Sequence, residues 1–220
     1  MSRNIISFSL WGDSPKYCVG AIKNAELAST IYPRWVCRYY VGKSTPSEYI
    51  NELILFKNTE VFIMNSHGNW TSMFWRFLAV DDSSTDIIIM RDTDSRLNER
   101  EREAVDEWLS SDKMFHIMRD HPCHKLPMLG GMWGVKKPVP FNFYKKINEY
   151  SLKDSYNIDQ EFLAKNIYPF AKNNAWVHDE FFEKTNFPSK RKNFEFVGQV
   201  FTENGETVQE HIDILRNYLD

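Results

Sequence analysis

Four things are scarce or missing in this sequence, and each excludes a class of protein. No apolar run approaches the length needed to span a bilayer, and Met1 to Leu10 is too short and too polar for a signal peptide, so the expectation is a soluble protein without a membrane span. Cysteine is limited to Cys18, Cys37 and Cys123, an odd number without Cys-x-x-Cys spacing. That rules against a disulfide scaffold and fits a reducing, cytoplasmic location. Basic residues are not in excess: the net charge is −3, with signs interspersed, so no basic face argues for nucleic acid or a membrane surface. There is no internal repeat and no low-complexity tract, and 220 residues suit one compact domain with a sizeable core.

What the chain does carry is an alternation of short apolar runs and helical patterns. Asn4 to Leu10 reads as a strand ending at Trp11-Gly12-Asp13, and Gly20 to Tyr32 as a helix stopped by Pro33. Trp35 to Val41 is a second strand, and Pro46 to Phe56 a helix capped by Ser44 or Ser47. Glu60 to Met64 is a third strand, Ser72 to Val80 a helix, and Asp86 to Met90 a fourth strand. Glu99 to Leu109 is an amphipathic helix. Phe115 to Met118 and Met132 to Val135 are strands, Phe141 to Tyr150 and Asp159 to Phe170 helices, and Ala175 to Val177 and Glu195 to Val200 short strands. The order predicts an α/β domain with a mainly parallel central sheet flanked by helices. It divides into a first half over about residues 1–96, a second half over about 97–200, and a closing helix over about 206–220.

The most informative segment is Arg91-Asp92-Thr93-Asp94, directly after the Ile-Ile-Ile-Met run. Ligands of open α/β sheets lie at the carboxyl ends of the strands. Two carboxylates two residues apart there can share a hard divalent cation, manganese or magnesium, whose other ligands are substrate phosphates. The alternative is that both aspartates cap the helix beginning near Asn98. His178, after another apolar run, could return to the aspartates as a third ligand, or be structural. His121-Pro-Cys123-His124 is too closely packed for a zinc site. Arg76 and Arg91 are placed to meet phosphate oxygens, although Arg76 could instead pair with Asp81 or Asp82. Gly130-Gly131 with Trp133 fits a ligand wall or a turn into a core strand. Asp159-Gln160 opens a helix, where Asp159 could be a cap. Aromatics make up 15% of the chain, with seven Trp, some among polar neighbours as in Asn69-Trp70-Thr71. Flat rings suit sugars and bases, and equally a core.

Taken in order, Asp92-Thr93-Asp94, Gly130-Gly131, Asp159-Gln160 and His178 resemble the pattern of nucleotide-sugar glycosyltransferases with the GT-A fold. The pattern is similar to that of the glycogenin and lipopolysaccharide galactosyltransferase type, and to the small glycosyltransferase domains of large algal viruses. It runs from Asn4 to about Phe182. The resemblance implies a single GT-A, Rossmann-like domain that moves a sugar from a nucleotide diphosphate donor, a UDP-sugar, to a carbohydrate or glycoprotein acceptor. It implies Mn2+ (or Mg2+) held by Asp92, Asp94 and His178, and, as a setting, virus glycosylation. Ser9, Leu10, Trp11, Gly12 and Asp13 would hold base and ribose, and Arg76, Arg91, Thr93, Gly130 and Gly131 the rest of the donor. Asp159, Gln160 and His121 would be catalytic, with Trp133 and Asp179 on the acceptor side. Asp179-Glu-Phe-Phe departs from the Gly-x-x-Lys-Pro-Trp-like continuation of that type, so the resemblance does not carry over the donor phosphate contact that continuation supplies. Two other functions suit the same residues, a phosphohydrolase with an aspartyl nucleophile and a noncatalytic sugar-binding module.

Overall fold

The computed structural model describes residues 3–150, 153–183 and 185–219. Its strands are β1 (Asn4–Leu10), β2 (Val36–Val41), β3 (Thr59–Ile63), β4 (Ile87–Met90), β5 (Phe115–Arg119), β6 (Trp133–Lys136) and β7 (Ala175–Asp179). They form one sheet in the order β3-β2-β1-β4-β6-β5-β7. All neighbours run parallel except β6, which is antiparallel to both β4 and β5. The strand order reverses direction between β1 and β4, and the crevice outside their carboxyl ends is where such sheets bind ligands.

Residue parity along β1 shows how the sequence assigns the two faces of the sheet. Ile6, Phe8 and Leu10 point into one core layer with α1 (Pro15–Ile31), α2 (Ser47–Leu55) and α3 (Glu99–Ser110). Ile5 points the other way, into a layer with the 3-10 helix Trp70–Val80, α4 (Phe143–Glu149) and α5 (Ile158–Phe162). Ser7 and Ser9 share that second face. Their hydroxyls replace apolar packing with bonds to the 3-10 helix: Ser7 Oγ donates to the Arg76 carbonyl at 2.7 Å, and Ser9 Oγ accepts from the Arg76 N–H at 3.0 Å. Both layers are built from fully buried side chains, each contributing roughly 1.5–3 kcal/mol for a large aliphatic or Phe side chain.

Several boundaries differ from the sequence reading. The first helix begins at Pro15, five residues before Gly20, because proline at the first helical position supplies the φ a helix needs and lacks only an N–H that would be unpaired there. Ser44 and Ser47 cap nothing; Ser44 Oγ instead accepts from the Gly12 N–H at 2.7 Å and donates to the His67 carbonyl. The helix expected from Ser72 is a 3-10 helix that opens at Trp70, with Asn69 and Ser72 exchanging side chain to backbone bonds. The stretch from Asp159 to Phe170 is split by a π-helical turn, Leu163–Ile167, ahead of α6 (Tyr168–Ala171). Glu195 to Val200 is not a strand: it contributes only the Ser95–Val200 bridge. The closing helix is α7, Gln209–Leu219, and Asp220 lies outside the described residues.

Candidate active site

The carboxyl ends of β1 and β4, the segment before β6, the start of α5 and the stretch ending at Val200 enclose one cavity of about 440 Å3. Ser9, Leu10, Trp11, Gly12 and Asp13 line it, as the position of the first strand end predicts. Gly12 lies in the left-handed region (φ 77°), so the chain turns sharply after Trp11. The Trp11 ring stands edge-on to Trp75, with centroids 6.3 Å apart.

After β4 the chain turns, and three consecutive residues face the cavity. Asp92, Thr93 and Asp94 all line it. Arg91 does not; its guanidinium turns toward α3, with Nε donating to Glu101 Oε1 at 2.8 Å and Nη1 to the Met90 carbonyl at 2.6 Å. The expected phosphate contact from Arg91 is therefore corrected to a buried structural ion pair. From α1, Asn24 steadies the turn that follows, donating to the Ser95 carbonyl at 2.9 Å and accepting from the Leu97 N–H at 3.1 Å. Asn98, rather than either aspartate, caps α3.

Arg76 stands at the centre of the acidic cluster. Its Nη1 donates to Asp92 Oδ1 and its Nη2 to Asp159 Oδ2 at 2.6 Å. Neither Asp81 nor Asp82 takes it: Asp81 accepts from the N–H groups of Phe143 and Tyr144, and Asp82 pairs with Arg38. Gly130 and Gly131 are small for a visible reason. A Cβ on Gly130 would collide with Asp159 Oδ2 and Arg76 Nη2, and one on Gly131 with Asp92 Oδ2. Gly130 thus lines the cavity, whereas Gly131 backs Asp92 from behind.

Asp159 is 1% exposed, and burial pushes its carboxyl up despite Arg76. Its Oδ1 is itself buried and has no hydrogen-bond partner. Gln160 also lines the cavity, its Nε2 donating to Asn157 Oδ1 at 2.7 Å. Asn157, in the left-handed region (φ 68°), turns the chain so that α5 starts with Asp159 pointing at Arg76. Asp94 is raised by burial and by the neighbouring Asp92 charge, and holds Lys16 Nζ at 2.8 Å. Burial works against the Lys16 charge, but Asp94 outweighs it and the ammonium is held above its ordinary range.

Besides Arg91, four expected site residues lie elsewhere. His178 is buried on β7, with Nδ1 bonded to His116 Nε2 at 2.8 Å and Nε2 to Glu107 Oε2 at 3.0 Å, so both ring nitrogens are engaged away from the aspartates. His121 is buried against Phe196, its Nε2 bonded to the His211 carbonyl at 2.9 Å. His124, three residues on, lines the cavity instead, and burial pushes it down to about 3, leaving a neutral ring. Trp133 is a core residue stacked on Phe143, with centroids 5.7 Å apart. Asp179 accepts from the N–H groups of Phe181, Phe182 and Glu183 and pairs with Arg119 at 2.8 Å. Cavity residues that sequence reasoning missed include Tyr17, Met73, Tyr156 and Gly198. Tyr17 follows Pro15 and Lys16, and a proline at the first turn is the signal that places it at a helix start.

The donor set defines what cation could bind. Among the described residues, no three His, Cys, Asp or Glu side chains come together to hold a metal ion. Asp92 and Asp94 both face the cavity, and two carboxylates fit a hard divalent cation whose remaining ligands come from a diphosphate.

No family model matches the sequence, and no curated protein matches it. Solved structures do match. A glycosyltransferase involved in the glycosylation of the major capsid of PBCV-1 is 18% identical, with 80% of this chain and 82% of that chain covered and a TM-score of 0.50. The galactosyltransferase LgtC, in complex with donor and acceptor sugar analogs, is 10% identical over 80% and 73% of the two chains, with a TM-score of 0.51. The 4-diphosphocytidyl-2C-methyl-D-erythritol synthase from Anaerococcus prevotii is 10% identical over 99% and 96%, with a TM-score of 0.52. At these identities the likeness is one of fold, and the sheet order, the mainly parallel strands and the flanking helices agree with it: the chain has a GT-A fold like that of the nucleotide-sugar glycosyltransferases.

Proposed function

We propose that this protein is a glycosyltransferase that moves a sugar from a UDP-sugar to a carbohydrate or glycoprotein acceptor with the help of Mn2+ or Mg2+. The observation that carries the reading is the set of carboxylates lining one cavity at the strand ends where the strand order reverses: Asp92 and Asp159 joined by Arg76, and Asp94 beside them on Lys16. The fold alone does not choose the reaction, since a synthase shares it; these side chains are what support the transferase reading. Base and ribose lie along Ser9 to Asp13, with Trp11 as the flat surface. The diphosphate end of the donor faces Asp92 and Asp94, which would hold the cation, and a cation held there would supply positive charge to offset what grows on the leaving diphosphate. Lys16, paired with Asp94, is a second positive group at that end.

Asp159, its Oδ2 clamped by Arg76, gives the sugar end of the cavity a carboxylate of fixed direction. We assign the amide oxygen of Gln160 to the anomeric centre, an arrangement that retains configuration. The free cysteines fit a cytoplasmic location, and no described helix is long and apolar enough to cross a membrane.

Two measurements test this. In a panel of nucleotide sugars with Mn2+, one donor should be slowly hydrolysed without acceptor, and Asp94→Ala should abolish that turnover while leaving the melting temperature within a few degrees. Calorimetry should show UDP binding weakened at least ten-fold by a chelator. UDP binding equally tight with chelator sinks the cation; no hydrolysis of any donor sinks the transferase; trapping of a covalent aspartyl phosphate on Asp92 selects the phosphohydrolase alternative.

A further inference from the structure

The cavity has an aromatic rim that the donor does not account for. Tyr17, Trp70 and Tyr156 all line it, and they are 38%, 42% and 68% exposed. Burying rings of this size is a main contribution to any core, so three left open at one mouth is a feature to be explained. They come from separate elements: the first turn of α1, the first residue of the 3-10 helix and the turn before α5. Trp70 and Tyr156 meet edge to face, with centroids 5.1 Å apart and planes at 78°, a contact that leaves ring face open on the pair. The Trp70 N–H donates to Asp154 Oδ1 at 2.9 Å, which ties the 3-10 helix to the turn carrying Tyr156. The platform is therefore held across two loops.

The charges around the rim restrict what can lie on it. Among the described residues lining the cavity, Asp13, Asp92, Asp94 and Asp159 are acidic, and Arg76 is the only Lys or Arg. Arg76 is already shared by two carboxylates, and Lys16, just outside the lining, is held by Asp94. A carboxylate or phosphate on the acceptor would meet net negative charge with no uncommitted cation among these groups. A neutral pyranose ring has what the rim suits: an apolar C–H face for an aromatic ring and hydroxyls for the phenol oxygens and nearby carboxylates. We propose that Tyr17, Trp70 and Tyr156 form the acceptor subsite, that it takes the ring of a neutral saccharide, and that the acidic lining excludes anionic acceptors. The assignment rests on the glycosyltransferase reading and adds to it the class of acceptor and the residues that choose it.

Saturation-transfer difference NMR on the full chain, saturated with UDP and Mn2+, tests it. The probes are the methyl pyranosides of glucose, galactose, mannose, xylose and fucose, set against glucuronate and 3-phosphoglycerate. At least one neutral glycoside should receive saturation and the two acids should not. The Trp70→Ala, Tyr156→Ala double variant should cut that contact at least ten-fold more than it weakens UDP binding measured by calorimetry. Trp70→Phe should keep most of it, and Tyr17→Ala, on a separate element, should give an independent loss. Contact with none of the neutral glycosides while UDP binds, contact unmoved by the variants, or a stronger response from the acids overturns the subsite and leaves the donor site standing. Failure of the wild-type protein to bind UDP removes the glycosyltransferase reading and the subsite with it.

Discussion

Replacing Arg76 with methionine isolates the electrostatic centre of the site. The guanidinium is buried between Asp92 and Asp159, and Asp159 is 1% exposed with one oxygen unpartnered even before the change. Methionine fills similar space and removes the charge, leaving Asp159 as an uncompensated buried carboxylate. Breaking a buried pair in this way costs about 3–5 kcal/mol. For a chain of this length each kcal/mol moves the melting temperature by about 2–4 °C, so the expected drop is about 6–20 °C. Adding Asp159→Asn should recover part of the loss, with a coupling of about 1–3 kcal/mol between the two positions. The pH dependence gives a second signature. Burial already raises the Asp159 carboxyl, and loss of Arg76 raises it further. The folded variant then keeps a proton that the unfolded chain releases above pH about 4, so its stability falls as pH rises through that interval. Urea titrations at pH 4.5 and pH 7 should therefore show a smaller deficit at the acidic value. A double variant whose losses simply add, or a deficit that does not change with pH, refutes the view that Arg76 compensates Asp159.

Two further expectations follow from particular contacts. Gly131→Ala places a Cβ against Asp92 Oδ2 and the Asp92 backbone nitrogen, so donor hydrolysis should fall more than ten-fold with about 1–3 kcal/mol of stability; unchanged hydrolysis would mean that Asp92 is free to move. His116 is fully buried, stacked on Trp108, and burial followed by the His178 charge holds it well below the ordinary histidine range. As pH falls below about 6.5 the unfolded chain takes up a proton that the folded one refuses, so stability declines by about 1.4 kcal/mol per pH unit from this group and is level above it. His116→Phe should flatten that slope in urea titrations between pH 4 and 6, and equal slopes would refute the assignment.

The sequence made the frame of the sheet readable because buried strands leave runs of β-branched residues, as in Ile87 to Ile89, and because α/β ligand sites follow strand ends. Hence Ser9 to Asp13, Asp92, Asp94, Arg76, Asp159 and Gln160 were found, and all of them line the cavity. Histidine was the weak point. An imidazole reads the same in sequence whether it faces a ligand or is satisfied inside the protein, and only the partners Glu107, His116 and the His211 carbonyl distinguish the cases. Arg91 and Trp133 failed for a different reason. Beside a ligand-bearing strand, one residue of register moves a side chain to the opposite face, and the antiparallel pairing that places Trp133 opposite Met90 is not written in its own segment. The aromatic rim was out of reach because its three members are brought together only by tertiary contacts.

The bond from the Phe201 N–H to the Asp94 carbonyl, at 2.9 Å, and the Ser95–Val200 bridge have a consequence for how the protein comes into being. Strands β1 to β4 are continuous in the first 90 residues and can associate as the chain leaves the ribosome, since early segments fold first during synthesis. The walls supplied by Gly130, Asp159 and Gly198 arrive only with the second half. A nascent chain therefore has its first four strands well before it has a closed pocket, and the cavity is completed only once about its two-hundredth residue has emerged.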